Sequence, residues 1–148
     1  MQKDIIWTLK KLHLCMEQYG RMQMENIDLS PTQAVLLHYL LTHKEQELYA
    51  IDLHTTLGIS KSYISSTLKE LKQKGYLYMK IDPKDDRKKQ IILTEKEYKA
   101  EQLIKKSIMQ QQKFLCQEIP ERRIDRLESD LNKMICNLQK EIEQEATV

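Results

Sequence analysis

Apolar residues recur at helical spacing along most of this chain and alternate along one short stretch. Ile5, Leu9, Leu12, Met16 and Tyr19 stand three or four residues apart, which is the stripe of an amphipathic helix. That helix is expected over about residues 3 to 25, and Asn26-Ile27-Asp28 breaks its pattern. Ser30-Pro31 reads as a helix start. Serine caps free backbone N–H groups, and proline suits the first helical position because its missing donor is not needed there. A mostly buried helix follows through Leu36, Leu37, Tyr39, Leu40 and Leu41, ending near His43. Lys44-Glu45-Gln46-Glu47 reads as a polar loop.

A short helix is expected from Ala50 to Leu57, with Leu53 and Leu57 inward and Gly58 as its left-handed stop. Ser60 caps the next helix, Lys61 to Lys74, whose inward residues are Ile64, Leu68 and Leu71. Gly75 ends it. Tyr76 to Ile81 then reads as a strand, with Leu77, Met79 and Ile81 alternating against Tyr78 and Lys80. Asp82-Pro83-Lys84-Asp85-Asp86-Arg87 reads as a polar turn, and Gln90 to Leu93 as the return strand. Thr94 and Glu97 have the spacing of a capping box for a helix over about residues 95 to 117. After Ile119-Pro120, a last helix spans about residues 121 to 144. Its residues Ile124, Leu127, Leu131, Met134 and Leu138 form a heptad seam that Ile142 continues. Such a seam needs a partner helix.

The expected fold is mostly α with a small β-wing: a winged helix-turn-helix flanked by N- and C-terminal helices. Only 3 glycines and 3 prolines among 148 residues leave room for long helices. That length suits a single domain over residues 1–148, with the winged helix-turn-helix over about 30–96. The flanks, about 1–25 and 97–148, then form a helical dimerisation region. No apolar run approaches the roughly 20 residues that cross a bilayer, and no signal-peptide core is seen. The expectation is a cytoplasmic protein without membrane contact.

Charge sharpens this picture. From Lys61 to Lys89 there are nine basic residues and four acidic ones, whereas from Gln117 to Val148 there are five basic and eight acidic. A basic middle in a chain of net charge +2 points to a polyanionic partner there. A recognition helix entering a major groove about 12 Å wide must be polar on its outer face. The outward residues here are Lys61, Ser62, Tyr63, Ser65, Ser66 and Lys69. Their hydroxyls and ammonium groups suit phosphates and base edges of double-stranded DNA.

The chain resembles the MarR family at this point. The resemblance rests on Leu29-Ser30-Pro31-Thr32-Gln33, Leu57-Gly58-Ile59-Ser60-Lys61-Ser62 and Leu71-Lys72-Gln73-Lys74-Gly75-Tyr76. Asp82-Pro83-Lys84-Asp85-Asp86-Arg87 and Leu93-Thr94-Glu95-Lys96 complete it. It implies a homodimeric transcription regulator, more often a repressor, on a pseudo-palindromic operator. It implies dimerisation through the first and last helices. It also implies that Arg87 enters the minor groove while Asp85 helps to hold it, with Lys88 and Lys89 against phosphates. A narrow minor groove concentrates negative potential, and a guanidinium responds to it. The sequence departs from the family at His54, where a small residue is common, at Ser66, where arginine is common, and at Glu97, where glycine is common.

The resemblance further implies a small phenolic or aromatic effector between the dimer helices and the DNA-binding lobe. The candidate lining is His13, Met16, Tyr19, His38 and Tyr39, set against the same five residues simply packing or facing water. Cys15, one helical turn before Tyr19, is similar in placement to the peroxide-sensing thiol of one branch, and is set against an ordinary buried cysteine. The three cysteines are not closely paired, which favours free thiols. The four histidines lack metal-ligand spacing, so neither metal nor cofactor is expected. No phosphate loop, nucleophile elbow or catalytic carboxylate pair is present, so an enzyme is not expected. The alternative to a DNA-binding regulator is a winged-helix protein-interaction module.

Overall fold

A computed structural model describes residues 4–146, apart from the side chain of Glu97. The expected Thr94–Glu97 capping box therefore lies outside the described residues. In chain order the elements are α1 (Ile5–Gln23), α2 (Pro31–Thr42), α3 (Ala50–Leu57), α4 (Lys61–Gln73), β1 (Leu77–Asp82), β2 (Asp85–Leu93), α5 (Glu95–Leu115) and α6 (Glu121–Ala146). The chain divides into two compact units, one up to Gln111 and one from Gln112 onward.

Local signals set most boundaries in the first unit. Ser30 Oγ accepts from Gln33 N at 3.2 Å, and Gln33 Oε1 accepts from Ser30 N at 3.1 Å, a reciprocal cap on α2. Ser60 Oγ accepts from Tyr63 N at 3.3 Å and caps α4. Gly58 takes φ 67° between α3 and α4, where a side chain would be strained. This glycine sets the turn of the helix-turn-helix. Leu37, Leu40, Leu68, Leu71, Tyr76, Leu77 and Ile104 are the large side chains at the centre of the core. They come from α2, α4, the start of the wing and α5, so the recognition helix lies on a rigid apolar base.

The wing differs from the sequence expectation. The return strand begins at Asp85, not Gln90, and the turn between the strands shrinks to Pro83-Lys84. Leu77 to Ile81 pair in order with Leu93 to Lys89, and Asp82 then pairs with Asp85. The register shifts between Ile81 and Asp82, which leaves Asp86, Arg87 and Lys88 without opposite residues. Such a bulge bends its strand and re-aims side chains. Polar residues 85–89 carry no hydrophobic alternation, so the sequence read them as loop. A short third edge joins the sheet: Tyr49 bridges Gln90, and Ile91 N donates to Leu48 O at 2.8 Å.

In the second unit, α6 has no buried residue within the single chain. Its seam stays uncovered: Leu127, Met134, Leu138 and Ile142 are all exposed. No helix among the described residues is long and apolar enough to cross a membrane.

Candidate nucleic-acid interface

The outer face of α4 is open along its length. Lys61, Ser62, Tyr63, Ser65, Ser66 and Lys69 are all exposed, while Ile64, Thr67, Leu68 and Leu71 are buried beneath them. This division follows from a polar stripe on a helix whose other face is apolar. His54, on the supporting helix α3, is only partly buried, and its Nδ1 lies 2.8 Å from Ile51 O. The larger side chain is thus accommodated at the rim of the packing.

Side-chain bonds tie α4 to the rest of its unit. The buried amide of Gln33 on α2 donates through Nε2 to Glu70 Oε2. Its Oε1 accepts from Lys74 Nζ at 2.7 Å. At the end of α4, Tyr76 Oη donates to Asp28 Oδ1 at 2.6 Å. Lys96 Nζ donates to Asp28 Oδ2 at 3.1 Å and to Lys74 O at 2.6 Å. The Tyr76 hydroxyl bond, with help from Lys96 and against some desolvation, holds the Asp28 carboxyl below its ordinary range. None of these links was read from the sequence. Ser-Pro-Thr-Gln carried the one available signal, because glutamine three residues after a capping serine completes a capping box.

At the wing tip, Asp85 Oδ1 accepts from Arg87 N at 3.0 Å and from Arg87 Nε at 3.4 Å. The Arg87 side chain is nonetheless 88% exposed. Asp82 Oδ1 accepts from Lys84 N at 2.8 Å and fixes the turn. Lys84 and Lys89 are exposed. Lys88 is not directed outward with them: its Nζ lies 4.4 Å from the centroid of the Tyr49 ring.

A cleft of about 270 Å³ opens beside α4. His13, Met16 and Tyr39 line it together with Leu57, Ile59 and Tyr63, so the cleft reaches the helix-turn-helix itself. Tyr19 and His38 lie outside its lining. The Tyr19 hydroxyl accepts from Gln23 Nε2 at 3.1 Å. His38 is half-buried, and burial, aided by the positive charge of Lys105, lowers its pKa. The family resemblance groups these five side chains, but the cleft depends on which faces α1 and α2 turn toward each other. Gln111 was not anticipated: it lines the cleft and donates to Met16 O at 3.1 Å. Cys15 and Cys136 are exposed free thiols, and Cys116 is a half-buried one. Among the described residues no group of His, Cys, Asp and Glu gathers in a metal-binding arrangement.

A supported recognition helix, a left-handed glycine turn and a basic hairpin define a winged helix-turn-helix protein. Residues 27–88 match the model of the MarR family. Among solved structures, the transcription regulator MarR from Oenococcus oeni PSU-1 is 28% identical, with a TM-score of 0.78 over 89% of this chain and 98% of that one. The S. aureus MepR–DNA complex is 23% identical, with a TM-score of 0.80 over 89% of this chain and 96% of that one. A MarR family transcriptional regulator from Listeria monocytogenes, complexed with 26mer DNA, is 19% identical, with a TM-score of 0.78 over 93% and 91%. Among proteins with curated descriptions, none matches the chain. The protein has the fold of MarR-family transcription regulators.

Proposed function

We propose that this protein is a cytoplasmic transcription regulator, acting as a repressor, that binds a pseudo-palindromic operator in double-stranded DNA as a homodimer. The observation that carries the reading is the wing tip, where Asp85 anchors an otherwise exposed Arg87 beside an open, polar recognition helix. Lys61, Ser62, Tyr63, Ser65, Ser66 and Lys69 face the major groove. Arg87 enters the minor groove, where its charge meets concentrated negative potential. MepR and the Listeria regulator are both crystallised with DNA, which supports the same partner here. A second copy covers the exposed seam of α6, and the apolar residues of α1 add to that interface.

The cleft beside α4 takes the effector. An aromatic ligand between His13, Met16 and Tyr39 touches Tyr63 of the recognition helix and shifts its population away from the DNA-bound form. The lining carries Glu17 but neither lysine nor arginine, which favours a neutral phenol over an aromatic carboxylate. Oxidation of exposed Cys15 is the second release route, because peroxide reaches an exposed thiol.

The test is binding to the DNA upstream of the protein's own coding sequence, measured across a salt series. Specific binding weakens steeply with salt as counterions leave the phosphates. Arg87→Ala lowers affinity and reduces the salt slope by about 0.9. Failure to bind that DNA or a genomic library at low salt removes the reading. Adding a neutral phenol, or peroxide to wild type and Cys15→Ser, then separates the two release routes. An equal response of Cys15→Ser to peroxide ends the thiol route.

A further inference from the structure

The four cations between residues 84 and 89, at the tip of the wing, do not share one environment. Lys84, Arg87 and Lys89 are exposed, whereas Lys88 is half-buried with its ammonium over the Tyr49 ring. The bulge explains the difference. Residues 86–88 have no opposite residues on β1, so alternate side chains leave the hairpin in different directions. Arg87 goes outward and Lys88 turns back toward the chain segment that precedes α3. Tyr49 is the residue at the N-terminal cap of α3 and also bridges Gln90 on β2. Its hydroxyl donates to Glu47 Oε2 at 3.2 Å, an exposed bond at the far end of the ring. The backbone bond from Ile91 N to Leu48 O lies next to this contact.

We infer that Tyr49 is a positioning residue for the wing and that Lys88 is its partner, not a phosphate contact. The ring–ammonium contact fixes the bulge on α3, the helix that braces the recognition helix. It thereby sets the distance between Arg87 in one groove and α4 in the next. A tip held only by the backbone bridge at Leu48–Ile91 would swing, and Arg87 would meet the minor groove in fewer of its orientations. A cation over a partly exposed ring contributes about two- to fivefold in an equilibrium. The inference rests on the DNA-binding reading only for its consequence, since the contact itself exists in the free protein.

Two measurements test it separately. In the free protein, the ε-methylene protons of Lys88 are expected upfield of the other lysines by NMR, through the Tyr49 ring current. Tyr49→Phe keeps that shift and Tyr49→Leu abolishes it. An ordinary Lys88 shift in the wild type overturns the contact, whatever the protein does with DNA. On DNA, Lys88→Met and Tyr49→Leu each weaken binding about two- to fivefold, and the double variant is no weaker than either alone. Tyr49→Phe and Lys88→Arg bind as wild type. Lys89→Met reduces the salt slope by about 0.9, as expected for a phosphate contact, while Lys88→Met leaves the slope unchanged. A slope loss of about 0.9 in Lys88→Met, with Tyr49→Leu binding normally, makes Lys88 a phosphate contact and overturns the inference. A wild type that binds no DNA removes the regulator reading and leaves the NMR result standing.

Discussion

Asp85 holds Arg87 twice through one oxygen, at 3.0 Å to the backbone N–H and at 3.4 Å to Nε. The first bond shapes the bulge and the second orients the side chain. The guanidinium is left with its terminal nitrogens free to act outward. Exposed ion pairs contribute about 0.2–1 kcal/mol, so this one orients more than it stabilises. Asp85→Ala is therefore expected to leave thermal stability nearly unchanged. It should weaken operator binding by at most about fivefold, with the salt slope kept because Arg87 still carries its charge. Arg87→Ala loses both affinity and slope. Equal slopes for Arg87→Ala and wild type would show that the guanidinium meets no phosphate charge.

Gln33 makes a different kind of link. Its buried amide joins α2 to α4 by bonds to Glu70 and Lys74, and it also closes the cap with Ser30. Gln33→Leu keeps the volume but removes all three partners. Unmet polar groups cost about 1–3 kcal/mol when buried. Glu70 is exposed and Lys74 half-exposed, so water recovers part of that loss. Chemical denaturation should show destabilisation near the lower end of that range. A variant as stable as the wild type would mean that the network is decorative.

Local signals were legible in the sequence and long-range ones were not. Ser30, Gly58, Ser60 and Gly75 mark helix ends by their own backbone and side-chain chemistry, so those ends fell within a residue or two of expectation. The outward face of α4 was legible for the same reason, because helical spacing fixes which residues share a side. The wing was under-read. Its strand character at 85–89 comes from pairing with β1, and the bulge that separates Arg87 from Lys88 depends on that register. Tyr49 lies far from Lys88 in sequence, and nothing local announces their contact. The cleft was half legible. Met16 and Tyr39 sit on inward stripes, but whether Tyr19 or Gln111 reaches the opening depends on how the helices approach.

That approach has a visible constraint at Gly20. A Cβ there would lie 2.8 Å from Cβ and 2.9 Å from Cγ of Pro31. Pro31 is the first residue of α2, in a ring that cannot swing aside. Alanine in a helix interior gains about 1 kcal/mol over glycine. Overpacking of this kind costs about 1–3 kcal/mol, and both close atoms belong to the fixed ring. The clash should win. Gly20→Ala is expected to lower the melting temperature by a few degrees and to widen the cleft between α1 and α2. A higher melting temperature would show that α1 shifts freely along α2.

Stability should fall in acid through two separate groups. His38 has a pKa lowered from 6.5 in the folded chain, chiefly by burial. The unfolded chain therefore binds its proton first. The contribution of neutral His38 is present above about pH 6.5 and is lost as the pH falls from there through the folded value. Asp28 also has a lowered pKa, held down first by the Tyr76 hydroxyl. Its contribution is present above the unfolded value of 3.8 and is lost as the pH drops below it. The two windows open at different pH, one near 6.5 and the other near 3.8, so single variants separate them. His38→Gln should flatten the decline that begins as the pH falls below about 6.5, and leave the loss below 3.8 intact. Asp28→Asn should do the reverse. It also breaks the junction among Tyr76, Lys96 and the end of α4, so its stability at neutral pH should already be reduced. Chemical denaturation midpoints taken from pH 3 to 8 provide the measurement. Identical profiles for wild type and His38→Gln would mean that the imidazole titrates as it does in the unfolded chain.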